Sequence, residues 1–106
     1  MKQKLPKIPE SAIQSHIIQY MTMRNWFVMR LNSGMVENKY GGRIRLAPAG
    51  TPDLLLIKDG KILFIEVKSA IGKITPLQEE FAEKLRSYGA EVILSRGIDD
   101  LQERGY

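Results

Sequence analysis

The chain has no cysteine and a single histidine, and these scarcities remove several chemistries before any element is placed. Without cysteine there is no disulfide framework, no thiolate metal site and no cysteine nucleophile. His16 stands in a predicted helix without histidine or cysteine partners and reads as an ordinary helix-surface or packing residue rather than a metal ligand. No apolar run approaches the roughly 20 residues of a membrane span, and the opening MKQKLPKIPES lacks the apolar centre of a secretory signal. The expectation is a soluble, intracellular (cytoplasmic) protein with no membrane partner. An internal repeat, a low-complexity tract, a Gly-Lys-Ser/Thr phosphate loop and a dinucleotide fingerprint are also missing, so no nucleotide cofactor is expected.

What is present suits one domain over residues 1–106, with 1–8 a loosely held lead-in; 43% hydrophobic content over that length is enough for a real core. The net charge of +4 is unevenly spread: residues 1–46 carry +6 and the remainder −2. A basic half suits a polyanion, because clustered Lys and Arg neutralise phosphates without reading sequence. The plainer explanation is solubility.

In chain order, Pro9 suits the first turn of a helix that runs to about Arg24 and places Ile13, Ile17, Tyr20 and Met21 on one apolar face. Glu10 falls toward that same side, either as a helix-start acid favoured by the macrodipole or as a carboxylate that needs a partner. Trp26 to Leu31 reads as a strand. The long stretch from Asn32 to Pro52 follows, with Lys39, Arg43 and Arg45 set beside Tyr40. Basic residues around an aromatic suit a nucleic-acid backbone and an exposed base, although Ile44 and Leu46 alternate with the arginines as in a short extra strand. Thr75-Pro76-Leu77-Gln78 is a helix start with a capping box, and Leu77, Phe81, Leu85 and Tyr88 form the expected core stripe of that helix. Glu91 to Ser95 is the last strand, and Asp99 to Arg104 a short helix. The order α-β-β-β-α-β predicts an α/β fold with a mixed sheet of about four strands flanked by helices.

Gly50 to Lys68, GTPDLLLIKDGKILFIEVK, gathers the chemistry. Two aliphatic runs flank Asp59-Gly60, a strong signal for a two-residue type I′ turn. The turn sets Lys58 against Lys61, Ile57 against Ile62, Leu55 against Phe64 and, by extension, Asp53 against Glu66. Opposed residues share a sheet face with Cβ atoms roughly 4.5–5.5 Å apart, where like charges repel. Lys68, two residues beyond Glu66, points to that face. Such a carboxylate pair suits Mg²⁺, a hard ion that takes carboxylate oxygens and keeps several waters. The plain alternative makes Asp53 a strand start and Glu66 and Lys68 a solvated strand end, and a bulge would part the acids.

Pro52-Asp53 followed by Glu66-Val67-Lys68 resembles the signature of the PD-(D/E)XK nuclease superfamily. The longer pattern of Glu10, Asn32-Ser33-Gly34, Gly50-Thr51-Pro52-Asp53, Glu66-Val67-Lys68 and Gln78 is similar to its VRR-NUC (virus-type replication and repair nuclease) branch, over about residues 10–100. The resemblance implies a restriction-endonuclease-like core and a metal-dependent DNA endonuclease. Asp53, Glu66 and the Val67 carbonyl would hold Mg²⁺, with Mn²⁺ able to substitute, and Glu10 would help through water. Lys68 would orient the attacking water or stabilise charge at the phosphate. Gln78 would lie near the active site, beside its sufficient role in the capping box. Asn32 and Ser33 would join Lys39, Tyr40, Arg43 and Arg45 in binding nucleic acid. Small stand-alone relatives imply branched DNA such as a Holliday junction, a homodimer, a part in DNA repair, and a prokaryotic or phage source. Trp26, Met29, Met35 and Tyr106 are candidate apolar surface for the dimer. The alternatives are a non-catalytic nucleic-acid-binding module and a flap or nicking nuclease acting as a monomer.

Overall fold

Asp59 and Gly60 both take positive φ, 50° and 78°, as a type I′ turn requires, and the main sheet grows outward from that turn. The computed structural model describes residues 7–31, 35–37, 39–45 and 47–106, with backbone alone for 35–37 and 43–45. Strands β4 (Leu54–Lys58) and β5 (Lys61–Val67) pair antiparallel from Lys58↔Lys61 to Leu54↔Ile65, the register that the sequence predicts. Strand β1 (Phe27–Arg30) adds antiparallel to the free edge of β4, and β6 (Glu91–Ser95) adds parallel to β5, giving the order β1-β4-β5-β6. The parallel pair is joined through helix α2 (Pro76–Ser87). The result is a mixed four-stranded sheet with helices on both faces, a restriction-endonuclease-like core. Strands β2 (Met35–Glu37) and β3 (Arg43–Arg45) form a separate antiparallel ribbon, so the extra strand suspected in the long loop has a partner of its own.

Cross-strand partners share a face, and one face carries Leu54, Leu56, Leu63, Ile65, Val67 and Ile93. Against it pack helices α1 (Glu10–Met23) and α3 (Ile98–Glu103) through Ile13, Ile17, Met21 and Leu101, all buried. Each fully buried Leu, Ile or Met there contributes about 1.5–3 kcal/mol relative to exposure. Trp26 closes one end of this core and meets Tyr106 edge to face at 5.6 Å, while the Tyr20 hydroxyl donates to the Tyr106 carbonyl at 2.6 Å. Trp26 is therefore core rather than the apolar surface expected of it, and Tyr106 is half-buried against it. No helix among the described residues is long and apolar enough to cross a membrane.

Three local expectations are corrected. Pro9 is the N-cap of α1 and Glu10 its first residue, with the Ala12 and Ile13 amides donating to the Pro9 carbonyl. Glu10 is exposed: it is the first residue of α1, and the buried residues of that helix begin only at Ile13. Helix α2 buries Ala82 rather than the stripe Leu77, Phe81, Leu85, Tyr88: Leu77 and Tyr88 are exposed and Phe81 and Leu85 half-buried. A small residue at the contact sets the helix close over β6, where the Arg86 guanidinium reaches the Val92 carbonyl at 2.9 Å, and the large side chains flank the contact instead of filling it.

The loop before β4 lies flat on the start of α2 through Gly50. Its φ is +90°, and a Cβ there would stand 2.7 Å from the Leu77 carbonyl oxygen. Gly50→Ala is expected to cost about 1–3 kcal/mol from backbone strain alone, and more from the forced displacement of α2. Gly60→Ala meets nothing within 4 Å and carries only the strain of its positive φ. Urea denaturation of both variants checks this, and equal losses would show that the close approach to Leu77 does not matter.

Candidate active site

Asp53 stands one residue before β4, at the point where the hairpin ladder ends. Its amide donates to the Ile65 carbonyl at 3.1 Å, and its carbonyl accepts from the Leu31 amide at 2.8 Å. Its carboxylate Oδ2 accepts from the Val67 amide at 2.7 Å. Because Leu54 is already paired with Ile65, the bond from Asp53 to the same residue is one step out of register, a bulge-like irregularity. The regular pairing thus stops at Leu54, and Asp53 meets the end of β5 through its side chain rather than as a ladder partner of Glu66. The bulge does not part the acids. The buried Pro52 and a turn in which the Thr51 amide and hydroxyl both donate to the Pro48 carbonyl hold the approach to Asp53.

Glu66 is 4% exposed near the end of β5, and its Oε1 accepts from Gln78 Nε2 at 3.0 Å. Burial pushes its carboxyl up from 4.5 to about 8; the charge of Asp53 and a side-chain hydrogen bond with it push the same way, the Lys68 ammonium opposes them, and Glu10 adds a smaller repulsion. Asp53, Glu66 and Lys68 are thereby brought together. Lys68 is 8% exposed, with its amide bonded to the Ser95 carbonyl at 3.0 Å.

Gln78 serves the capping box and Glu66 at once. Its amide and the Thr75 hydroxyl bond at 3.1 Å, its Oε1 accepts from the Thr75 amide at 2.9 Å, and its remaining Nε2 serves Glu66. Glu10 reaches the site by its field, and among the described residues no three His, Cys, Asp or Glu side chains form a ready cluster for a metal. His16 is exposed on α1, as expected of a helix-surface residue. Lys39 and Tyr40 are exposed, with Lys39 Nζ 5.1 Å from the centre of the Tyr40 ring. Arg43 and Arg45 occupy the two ends of β3, their side chains outside the described residues, as Asn32 and Ser33 are altogether.

Arg96 is the residue that sequence reasoning missed. Its guanidinium Nη1 donates to the carbonyls of Ser69 and Gly72, at 2.5 and 2.6 Å, and so braces the turn directly after Lys68. A lone arginine after a strand carries no periodic or motif signal; only the folded chain shows it spanning back to that turn. An open groove of about 840 Å³ runs past Lys7, Glu10, Ile71 and Arg96, from the start of α1 to this braced turn.

An acid ahead of one hairpin strand, a second acid and a lysine two residues apart at the end of the next, and a mixed sheet behind them are the signature of the PD-(D/E)XK class of nucleases. Within that class the VRR-NUC domain model matches residues 8–99 of the 106, a span that includes Glu10, Asp53, Glu66, Lys68 and Gln78, and the chain belongs to the VRR-NUC family. No curated protein and no solved structure matches it.

The raised pKa of Glu66 gives a sign to pH dependence. A carboxyl that ionises near 4.5 unfolded and about 8 folded binds its proton more tightly in the native state, so its contribution is fully present below 4.5 and is lost as pH rises toward 8. In metal-free buffer the parent should lose stability to urea between pH 5 and pH 8, and Glu66→Gln should flatten that slope. An equal slope in the variant would remove Glu66 as its source.

Proposed function

We propose that this nuclease is a divalent-metal-dependent DNA endonuclease that takes Mg²⁺, with Mn²⁺ able to substitute, and prefers branched DNA such as a four-way junction. The observation that carries the metal is the crowding of two carboxyls: Glu66 is buried and its ionisation is opposed by Asp53, a cost that a cation between them offsets. Two carboxylates with a backbone carbonyl are a fitting donor set for Mg²⁺, which needs few protein oxygens and keeps its waters. Asp53, Glu66 and the Val67 carbonyl would hold the ion, and Glu10 would act through water. When bound, it supplies Lewis acidity toward water and phosphate oxygen.

The chain's own residues do the rest. The Val67 amide fixes one oxygen of Asp53, and Gln78 fixes one oxygen of Glu66, so both carboxylates present a chosen oxygen to the site. Lys68, held on a nearly buried stem, brings an ammonium to the attacking water or to charge developing on the phosphate. The basic N-terminal half and the Lys39–Arg45 segment supply phosphate contacts that do not read sequence. One site per chain ordinarily cuts one strand, so paired incision of a junction suits a two-fold homodimer.

Asp53→Ala, Glu66→Ala and Lys68→Ala should each lower Mg²⁺-dependent cleavage by on the order of 10²–10³-fold while leaving a folded protein. Without metal, Glu66→Ala should melt at or above the parent temperature, and added Mg²⁺ should raise the melting point of the parent alone. Cleavage assays on duplex, flap and four-way junction DNA, with Mg²⁺ and with chelator, check this; undiminished cleavage by Asp53→Ala would sink the site. DNA binding without any cleavage by the parent would leave a binding module.

Changing Lys39, Arg43 and Arg45 together to Ala should weaken DNA binding on every sequence and flatten its salt dependence by roughly 0.9 per lost contact in the log–log slope. A titration across salt concentrations reads that slope directly. An unchanged value would place the three residues away from DNA.

A further inference from the structure

Strands β4 and β5 are apolar on both faces, with LLLI and ILFI as unbroken runs. A strand solvated on one side normally alternates, whereas an unbroken run marks one covered on both. Leu54, Leu56, Leu63 and Ile65 lie under α1. The register places Phe27, Met29, Leu55, Ile57, Ile62 and Phe64 together on the opposite face. Helix α2 covers only the β6 side of that face, where Val92 is buried. We propose that the open part of this face, centred on Phe27, Met29, Ile57 and Ile62, is where a second copy of the chain docks, sheet against sheet, in a two-fold dimer. This gives the working pair a surface and rests on the nuclease reading only for what the pairing serves.

Area favours a stable protein interface. Phe27 is 63% exposed, Met29 43%, Ile57 38%, Ile62 48% and the bordering Tyr88 82%. Together they leave on the order of 500 Å² of largely apolar surface in one patch, at the upper end of what a monomer carries. Half-buried Leu55 and Phe64 extend it toward the ~800 Å² per partner of a standard interface.

Charge selects the partner. By the strand period, Arg30, Lys58 and Lys61 point to the α1 side, where Lys58 bonds the Arg24 carbonyl at 2.9 Å and lies over the Trp26 ring. The strands between Phe27 and Phe64 thus direct apolar side chains onto this face, with Lys61 and Glu91 bordering it only at one edge, which suits neither a polyanion nor open water but fits an identical apolar face. Two such faces pack about 10 Å apart with interdigitating side chains. Asp53 and Glu66 stand at the end of this same face, so the two active sites would lie at the margin of the interface.

Sedimentation velocity of the full chain between 5 and 50 µM tests the surface. The parent should be a dimer, and Phe27→Lys and Ile62→Lys, both at exposed positions, should be monomers with unchanged far-UV circular dichroism and a dimer Kd raised at least 100-fold. A footprint on the unaltered chain guards against misfolded variants: peroxide should oxidise Met23, 76% exposed on α1, well before Met29. A monomeric parent, Lys variants that pair like the parent, or a Met29 as reactive as Met23 would overturn the proposal. Cleavage of a flapped duplex with Mg²⁺ separates the two readings. A dimer that cuts nothing overturns the nuclease reading and keeps the surface; a monomeric parent that cuts does the reverse.

Discussion

The structure depends on one unfavourable juxtaposition, the Glu66 carboxyl buried within reach of Asp53. An aliphatic hairpin has no structural use for it, since an apolar or amide side chain at either position would fold more readily. Much of the surrounding architecture keeps the juxtaposition in place. The Val67 amide takes one acid, Gln78 the other, and Lys68 reduces the repulsion without removing it. Asp53 stands before β4, Glu66, Val67 and Lys68 at the end of β5, and Gln78 in α2, so the pair is held in this way only when β4, β5 and α2 have assembled.

That assembly has few free parameters. Gly50 lets the loop ahead of Asp53 lie on the backbone of Leu77, the residue before Gln78, so one close approach sets the distance between the two sides of the site. Arg96 holds the turn beyond Lys68 from the far end of β6. The site is thus clamped from the chain segments that enter and leave it, and its geometry is tied to the backbone rather than to flexible side chains.

The hairpin and its consequences were legible because they are local: two aliphatic runs about Asp59-Gly60 determine a register, and a register determines which residues meet. Thr75 and Pro76 marked the start of α2 for the same reason. What failed were statements about tertiary contact. The stripe Leu77, Phe81, Leu85, Tyr88 has helical spacing, yet the helix rests on Ala82, because periodicity identifies a face without saying how much sheet lies beneath it. Trp26 looked like a surface aromatic and became core once Tyr106 folded back against it. Glu10 has core-side spacing but lies in the exposed first turn of α1, and Arg96 has no pattern at all.

The capping box of α2 also bears on how the helix engages Glu66. Because Gln78 Oε1 is engaged by the Thr75 amide, its NH₂ group must point to Glu66 Oε1, and turning the amide over would lose both bonds. Helix α2 therefore engages Glu66 through Oε1, while the Asp53 carboxyl meets the same group by a side-chain hydrogen bond. Glutamate would complete the cap equally well but would set a third carboxylate against the first two. The start of a helix, a feature usually read as punctuation, here makes the two oxygens of a buried carboxylate unequal: one is bound to the helix and the other is not.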